Sequence, residues 1–133
     1  MKCQLLCLES HERQVRGATF PGKGILVSKG VYTLGEPDGK ALLQHEFGHI
    51  LQYREVGAKA YYSVIAPESL ASATRSQSAH DHFWTETWAN YLSKEYFGNN
   101  WYGYKLKSYY AENISFSNRL RLYIAKYSPF IPF

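Results

Sequence analysis

A chain of 133 residues is long enough to bury one core without disulfide or metal staples, and no linker or repeat divides it, so a single domain over residues 1–133 is expected. Apolar residues make up 45% and charged residues 20%, which excludes a disordered chain; the net charge of +4 is spread without a Lys/Arg run, so no nucleic-acid partner is expected. No apolar run has the length of a membrane span, and residues 1–8 are too short for a signal peptide, which makes no transmembrane segment and a cytoplasmic location the default expectations.

Aromatic side chains are dense at 17%, and twelve of them are tyrosines, which suits a small core with wet edges or an aromatic-lined groove. Cys3, Cys7 and His11 stand four apart, but no second cysteine pair completes a zinc site, and a frayed terminus is the plainer reading. Residues 1–17 lack a clear period. Ile25-Leu26-Val27 and Val31-Tyr32-Thr33-Leu34 are β-rich and flank Ser28-Lys29-Gly30, predicting one bent strand or a short hairpin. A turn cluster at residues 35–39 follows.

Asp38 then suits the N-cap of a helix over residues 40–54, with Leu42, Leu43, Phe47, Ile50 and Leu51 as its apolar face. Gly57 ends or kinks it. Residues 58–66 read as a second helical piece broken by Pro67, residues 68–73 as a turn, and residues 74–79 as a loop. A helix over residues 82–97 follows, with Asp81 as its cap and Gly98-Asn99-Asn100 as its stop. Trp84 and Trp88 either line a pocket with Trp101 or bury against the first helix. The tail is aromatic and basic, and helical after Ser117.

The chemistry concentrates in His45-Glu46-Phe47-Gly48-His49. Two histidines four apart on a helix project from one face and can share a metal ion. Imidazole suits zinc, which takes three protein ligands at a catalytic site and leaves a position open. Glu46 then stands beside the metal, where a general base for the attacking water belongs. A chance match on an amphipathic helix is the rival reading. Gly48 is costly in a helix interior, by about 1 kcal/mol relative to alanine, and a close neighbour on that face would explain it. Glu86 on the later helix is the candidate third ligand, against the alternative of a solvated helix residue. Asn90, one turn on, shares its face and can hydrogen-bond a ligating imidazole.

These residues carry a resemblance. His-Glu-x-x-His on one helix and Glu86-Thr87-Trp88-Ala89-Asn90 on a second resemble the gluzincin zinc metallopeptidases. More closely, residues 44–52, Ala66-Pro67-Glu68-Ser69-Leu70 and residues 83–90 resemble small bacterial metallopeptidase-like domains, which occur alone or at the C-termini of RHS-repeat polymorphic toxins. The likeness covers residues 30–100. It implies Zn2+ held by His45, His49 and Glu86, with Glu46 as base and proton shuttle. The long stretch over residues 50–85 departs from the thermolysin-like spacing, and the short upstream region leaves room only for a reduced sheet.

The expected fold is α+β and mainly helical: a reduced zincin-like domain with a short N-terminal strand or hairpin packed on two metal-ligand helices. The expected activity is zinc-dependent hydrolysis of peptide bonds in a peptide or protein substrate. A donor for the oxyanion is sought among His80, His82, Tyr53 and Tyr91, of which His80 and His82 lie just before the ligand helix. The strand region over residues 25–34 either aligns substrate or belongs to the core. The alternative function is a non-catalytic zinc-binding or interaction module, which His80 or His82 as a fourth ligand would favour.

Overall fold

The computed structural model describes residues 17–27 and 38–130, and its first element is a hairpin. Strand β1 (Gly17–Phe20) pairs antiparallel with β2 (Gly24–Val27), Thr19 opposite Ile25. Pro21 and Gly22 make the turn between them: proline sets the backbone for the first corner, and Gly22 adopts φ 82 at the second. The Lys23 N–H closes the turn on the Phe20 carbonyl at 2.8 Å. The strand expected at Ile25-Leu26-Val27 is therefore present, and its partner lies in a stretch that shows no alternation in sequence. Residues 31–34, Cys3, Cys7 and His11 lie outside the described residues.

Helix α1 (Asp38–Ala60) is longer than expected, and it bends at Gly57, where φ is 82 and ψ 169. Its deepest face is not the leucine-rich one. Glu46, Gly48, His49 and Gln52 are buried, followed by Val56 and Ala60, whereas Leu43 is exposed and Phe47 half-buried against the rings of Tyr96 and Phe97. Polar groups occupy that face because each finds a hydrogen-bonding partner there; no buried side-chain nitrogen or oxygen among the described residues lacks one.

Beyond the bend the chain widens into a π-helical turn (Tyr61–Ile65) and passes directly into α2 (Ala66–Ala73). Pro67 does not break the helix. It sits in the first turn of α2, where a missing N–H costs least. Residues 68–73 are accordingly helical rather than a turn. The expected loop over residues 74–79 is also corrected: Ser76 caps α3 (Gln77–Asp81), its hydroxyl accepting from the Ala79 N–H at 3.2 Å. Helix α4 (Trp84–Phe97) starts two residues later than expected and lacks a side-chain cap. Asp81 is not its cap, because its carboxylate accepts from Gln77 at 2.6 Å within α3. Gly98 ends α4 at φ 56. Two 3-10 turns (Gly98–Asn100 and Tyr102–Tyr104) lead into an irregular strap, and Ser115 caps α5 (Phe116–Tyr127) by accepting from the Asn118 N–H.

The molecule is thus mainly helical with one small antiparallel sheet. Helix α1 is its axis, packing on α4 along one side and on α5 beyond Gln52. The apolar core sits at that second end, where Val56, Ala60, Tyr61, Val64 and Ile65 meet Leu122 and Ala125. Trp84 and Trp88 stack with centroids 6.5 Å apart and pack on this core. Among the described residues, no helix is long and apolar enough to cross a membrane.

At Gly48 the backbones of α1 and α4 approach closely. A Cβ there would stand 2.2 Å from the Ala89 carbonyl oxygen, which is main chain and cannot swing aside. Gly48→Ala should therefore destabilise the fold by about 1–3 kcal/mol despite alanine's better helix propensity, read as a lowered midpoint in urea unfolding. An unchanged or raised midpoint would show that the helices separate easily.

Candidate metal centre

Close approach at Gly48 brings the polar face of α1 against α4. The Nε2 atoms of His45 and His49 converge on one oxygen of Glu86, Oε2, at 3.1 and 3.3 Å. One ligand atom from each of the three residues lies within 4.8 Å of the others. This group can hold a metal ion.

The hydrogen bonds behind these side chains fit that use. Asn90 donates its amide N–H to the Tyr109 carbonyl at 2.8 Å, which turns its oxygen toward His45 Nδ1, also at 2.8 Å. Gln52 donates to the Thr85 carbonyl at 2.6 Å and turns its oxygen toward His49 Nδ1 at 2.8 Å. An amide oxygen only accepts, so each Nδ1 carries a proton, and each neutral ring keeps its lone pair on Nε2, the atom aimed at the centre. The other Glu86 oxygen, Oε1, accepts from Ser69 at 2.6 Å and from Thr85 at 2.8 Å. These two bonds hold the carboxylate in place and leave Oε2 facing the histidines.

Without an ion, the three groups share protons. Burial works to lower the pKa of His45, but its bond to Glu86 and that carboxylate's charge outweigh it and raise it to about 9. Burial likewise opposes, and Glu86 dictates, a raised pKa at His49. Glu86 is held well below the usual carboxylate range: burial alone would raise it, and the charge of His49 with the bonds to both histidines reverses that. The metal-free fold therefore binds more protons than the unfolded chain between pH 6.5 and about 9, the excess approaching one proton from His45 in the middle of that window. The stabilisation from this proton is complete below 6.5 and fades as pH rises through 9. A metal ion must displace it. Metal affinity should rise about tenfold per pH unit up to about pH 9 and level off above, with proton release measurable by calorimetry in buffers of different ionisation enthalpy. Affinity independent of pH between 6.5 and 8 would contradict this.

Glu46 lies beside this group without joining it. Thr19, on β1, has its hydroxyl 2.6 Å from Glu46 Oε2 and 2.9 Å from the Glu46 carbonyl. Gly17 makes room for the other oxygen: a Cβ at that position would stand 2.3 Å from Oε1. The hairpin thus serves as a cradle for this carboxylate. A cleft of about 360 Å³ opens over His45, Glu46 and Glu86, walled by Trp101 between the two 3-10 turns, by Leu106 and Tyr109 of the strap, and by His80 and Asp81 of α3.

The two histidines that precede α4 part company. His80 turns into the cleft, with Nδ1 2.6 Å from the Ser72 hydroxyl and Nε2 3.6 Å from Glu86 Oε2. His82 is exposed, bonds the Ser78 carbonyl at 2.7 Å and lies on the Tyr109 ring. Tyr53 packs among Tyr61 and Tyr62 at the core, and Tyr91 pairs with Glu112. Of the four candidate oxyanion donors, only His80 is brought to the centre. Trp101 is buried in the cleft wall, ring to ring with Tyr104 and Tyr110, whereas the helical tryptophans belong to the core.

Sequence reading did not reach Thr19, Gly17, Gln52, Ser72 and Thr85 as parts of the centre. Gln52 had a signal, since it follows His49 by one helical turn. Ser69 had only the weak Pro-Glu-Ser element. Thr19 and Gly17 had none, because their meeting with Glu46 spans 27 positions of chain. Comparison with known proteins adds no relative: no family model, no curated protein and no solved structure matches the chain.

Proposed function

We propose that this chain is a minimal gluzincin-like zinc peptidase that hydrolyses peptide bonds in the cleft over His45, Glu46 and Glu86. The observation that carries the reading is the separation of roles on α1. Two imidazoles whose Nε2 atoms converge on one carboxylate oxygen form a group that can hold a metal ion, while Glu46, one residue from His45, stands outside that group with its carboxylate bonded to Thr19. A purely structural zinc site has four protein ligands and no use for a buried carboxylate beside them.

Two nitrogen donors and a carboxylate oxygen suit zinc among the common divalent ions. A zinc ion held by His45, His49 and Glu86 would polarise the scissile carbonyl and acidify a water molecule. Glu46 is the base for that water. Its Oε2 is engaged by Thr19, so Oε1, beside side-chain-free Gly17, receives the proton and delivers it to the leaving amine. His80 is the donor, from Nε2, to the oxyanion that develops on the substrate carbonyl. Its other nitrogen is steadied by Ser72, which in turn donates to the Ser69 carbonyl at 2.8 Å.

Zinc-loaded protein incubated with unfolded casein should generate new amino termini. Chelation should stop the reaction and zinc should restore it. Intact casein after prolonged incubation with fully loaded protein would reject the reading.

One observation favours a second reading, a non-catalytic zinc module: His80 Nε2 stands 3.6 Å from the ligand oxygen, near enough to serve as a fourth ligand after a small movement. The two readings part on His80→Ala. As an oxyanion donor, His80 can be removed with zinc content unchanged and a rate loss of about 10²–10³-fold. As a fourth ligand, its removal lowers zinc content.

A further inference from the structure

Helix α5 is apolar on two opposite sides. Leu122 and Ala125 face the core and are buried. Phe116, Leu120, Tyr123, Ile124 and Tyr127 fall at i, i+4, i+7, i+8 and i+11, one stripe on the opposite side, and all are exposed: Leu120 by 45% and Phe116 by 80%. Single exposed apolar residues are ordinary. Five large ones aligned along one helix make a contiguous patch of the kind that marks an interaction surface.

The charges bordering the stripe say what fits it. On the helical wheel, Arg119 and Lys126 lie along one border and Arg121 along the other, where it pairs with Glu68 of α2. The helix sequence contains no acidic residue. Two copies packed antiparallel, stripe to stripe, would set Arg119 and Lys126 of one against the same cations of the other. An anionic partner meets no such conflict. The stripe is also rich in side chains with an apolar body and a polar tip, Tyr123 and Tyr127, which settle at a boundary between hydrocarbon and water. A helix with such a stripe, a cationic border and no acid lies in the plane of a lipid interface.

We propose that the outer face of α5 docks the protein on an anionic lipid surface, independently of the metal centre. The test is flotation of the full chain with phosphatidylcholine vesicles and with vesicles containing phosphatidylglycerol. The expected result is association with the anionic vesicles at least about tenfold stronger than with the neutral ones, weakened by salt. Leu120→Ser with Ile124→Ser should remove binding to both, and Arg119→Gln with Lys126→Gln should remove the anionic preference alone. Circular dichroism and a thermal melt would establish that each variant is folded. Equal or absent binding to the two vesicle types would overturn the proposal. So would a concentration-dependent dimer, seen by ultracentrifugation and lost in the Leu120/Ile124 variant, that binds no vesicles.

Discussion

Glu86→Ala should leave the purified protein nearly metal-free, where wild type carries about one ion per chain. Glu86 is the single group that both imidazoles face, and its Oε2 stands 3.1 and 3.3 Å from them. Two histidines on one helix turn bind zinc weakly unless a third donor closes the set. The substitution also leaves the hydroxyls of Ser69 and Thr85 without their acceptor. It removes the bond and the charge that do most to raise the pKa of His45, leaving burial opposed only by the charge of Glu46 and the bond to Asn90. Affinity should fall by more than about 100-fold, beyond the 10–100-fold expected for Asn90→Ala, which keeps all three ligands and loses the bond behind His45 together with the tie to the Tyr109 carbonyl. Metal analysis of both variants against wild type is the check. Undiminished zinc in Glu86→Ala would remove it from the ligand set.

The second large effect belongs to Glu46. Glu46→Gln keeps the shape of the side chain and an oxygen that can accept from Thr19, but it cannot take a proton. Zinc content and thermal stability should stay near wild type, while hydrolysis falls by about 10²–10⁴-fold. The near neutrality for binding follows from the geometry, because Glu46 is outside the group of converging ligand atoms. Full activity with normal zinc content would place the base elsewhere. A loss of zinc alongside activity would make Glu46 a ligand rather than a base.

Thr19 gives a gentler version of the same experiment. Its hydroxyl holds Glu46 Oε2 from the hairpin, and Thr19→Val preserves the branched shape without the hydrogen bond. Zinc content should be unchanged and the rate lowered by about tenfold, with activity recovered in Thr19→Ser. An unchanged rate in Thr19→Val would reduce the hairpin to packing.

The legible part of this molecule was local. A four-residue interval on a helix puts His45 and His49 on one face whatever else the chain does, and the same holds for Glu86 and Asn90. Gly48 announced a close neighbour through its cost in a helix, and Ala89 is that neighbour. Errors fell where a local signal was overruled by continuation of the chain. Pro67 reads as a breaker, but it sits in the first turn of α2, where proline is tolerated. The leucine face of α1 reads as the buried one, but the hydrogen bonds that His45 and His49 donate to Asn90 and Gln52, and that Thr19 donates to Glu46, make the polar face the better one to bury. What could not be read were the long-range pairs, Thr19 with Glu46 and Ser69 with Glu86. A serine or threonine carries no mark of a partner many residues away.

The most direct measurement is a zinc titration of metal-free protein in which bound metal and cleavage of an unfolded protein are read on the same samples. Cleavage should rise in proportion to bound zinc and reach its limit at about one ion per chain. A wild-type chain that fills its site with zinc at this ratio and still cleaves nothing would contradict a hydrolytic role for the centre.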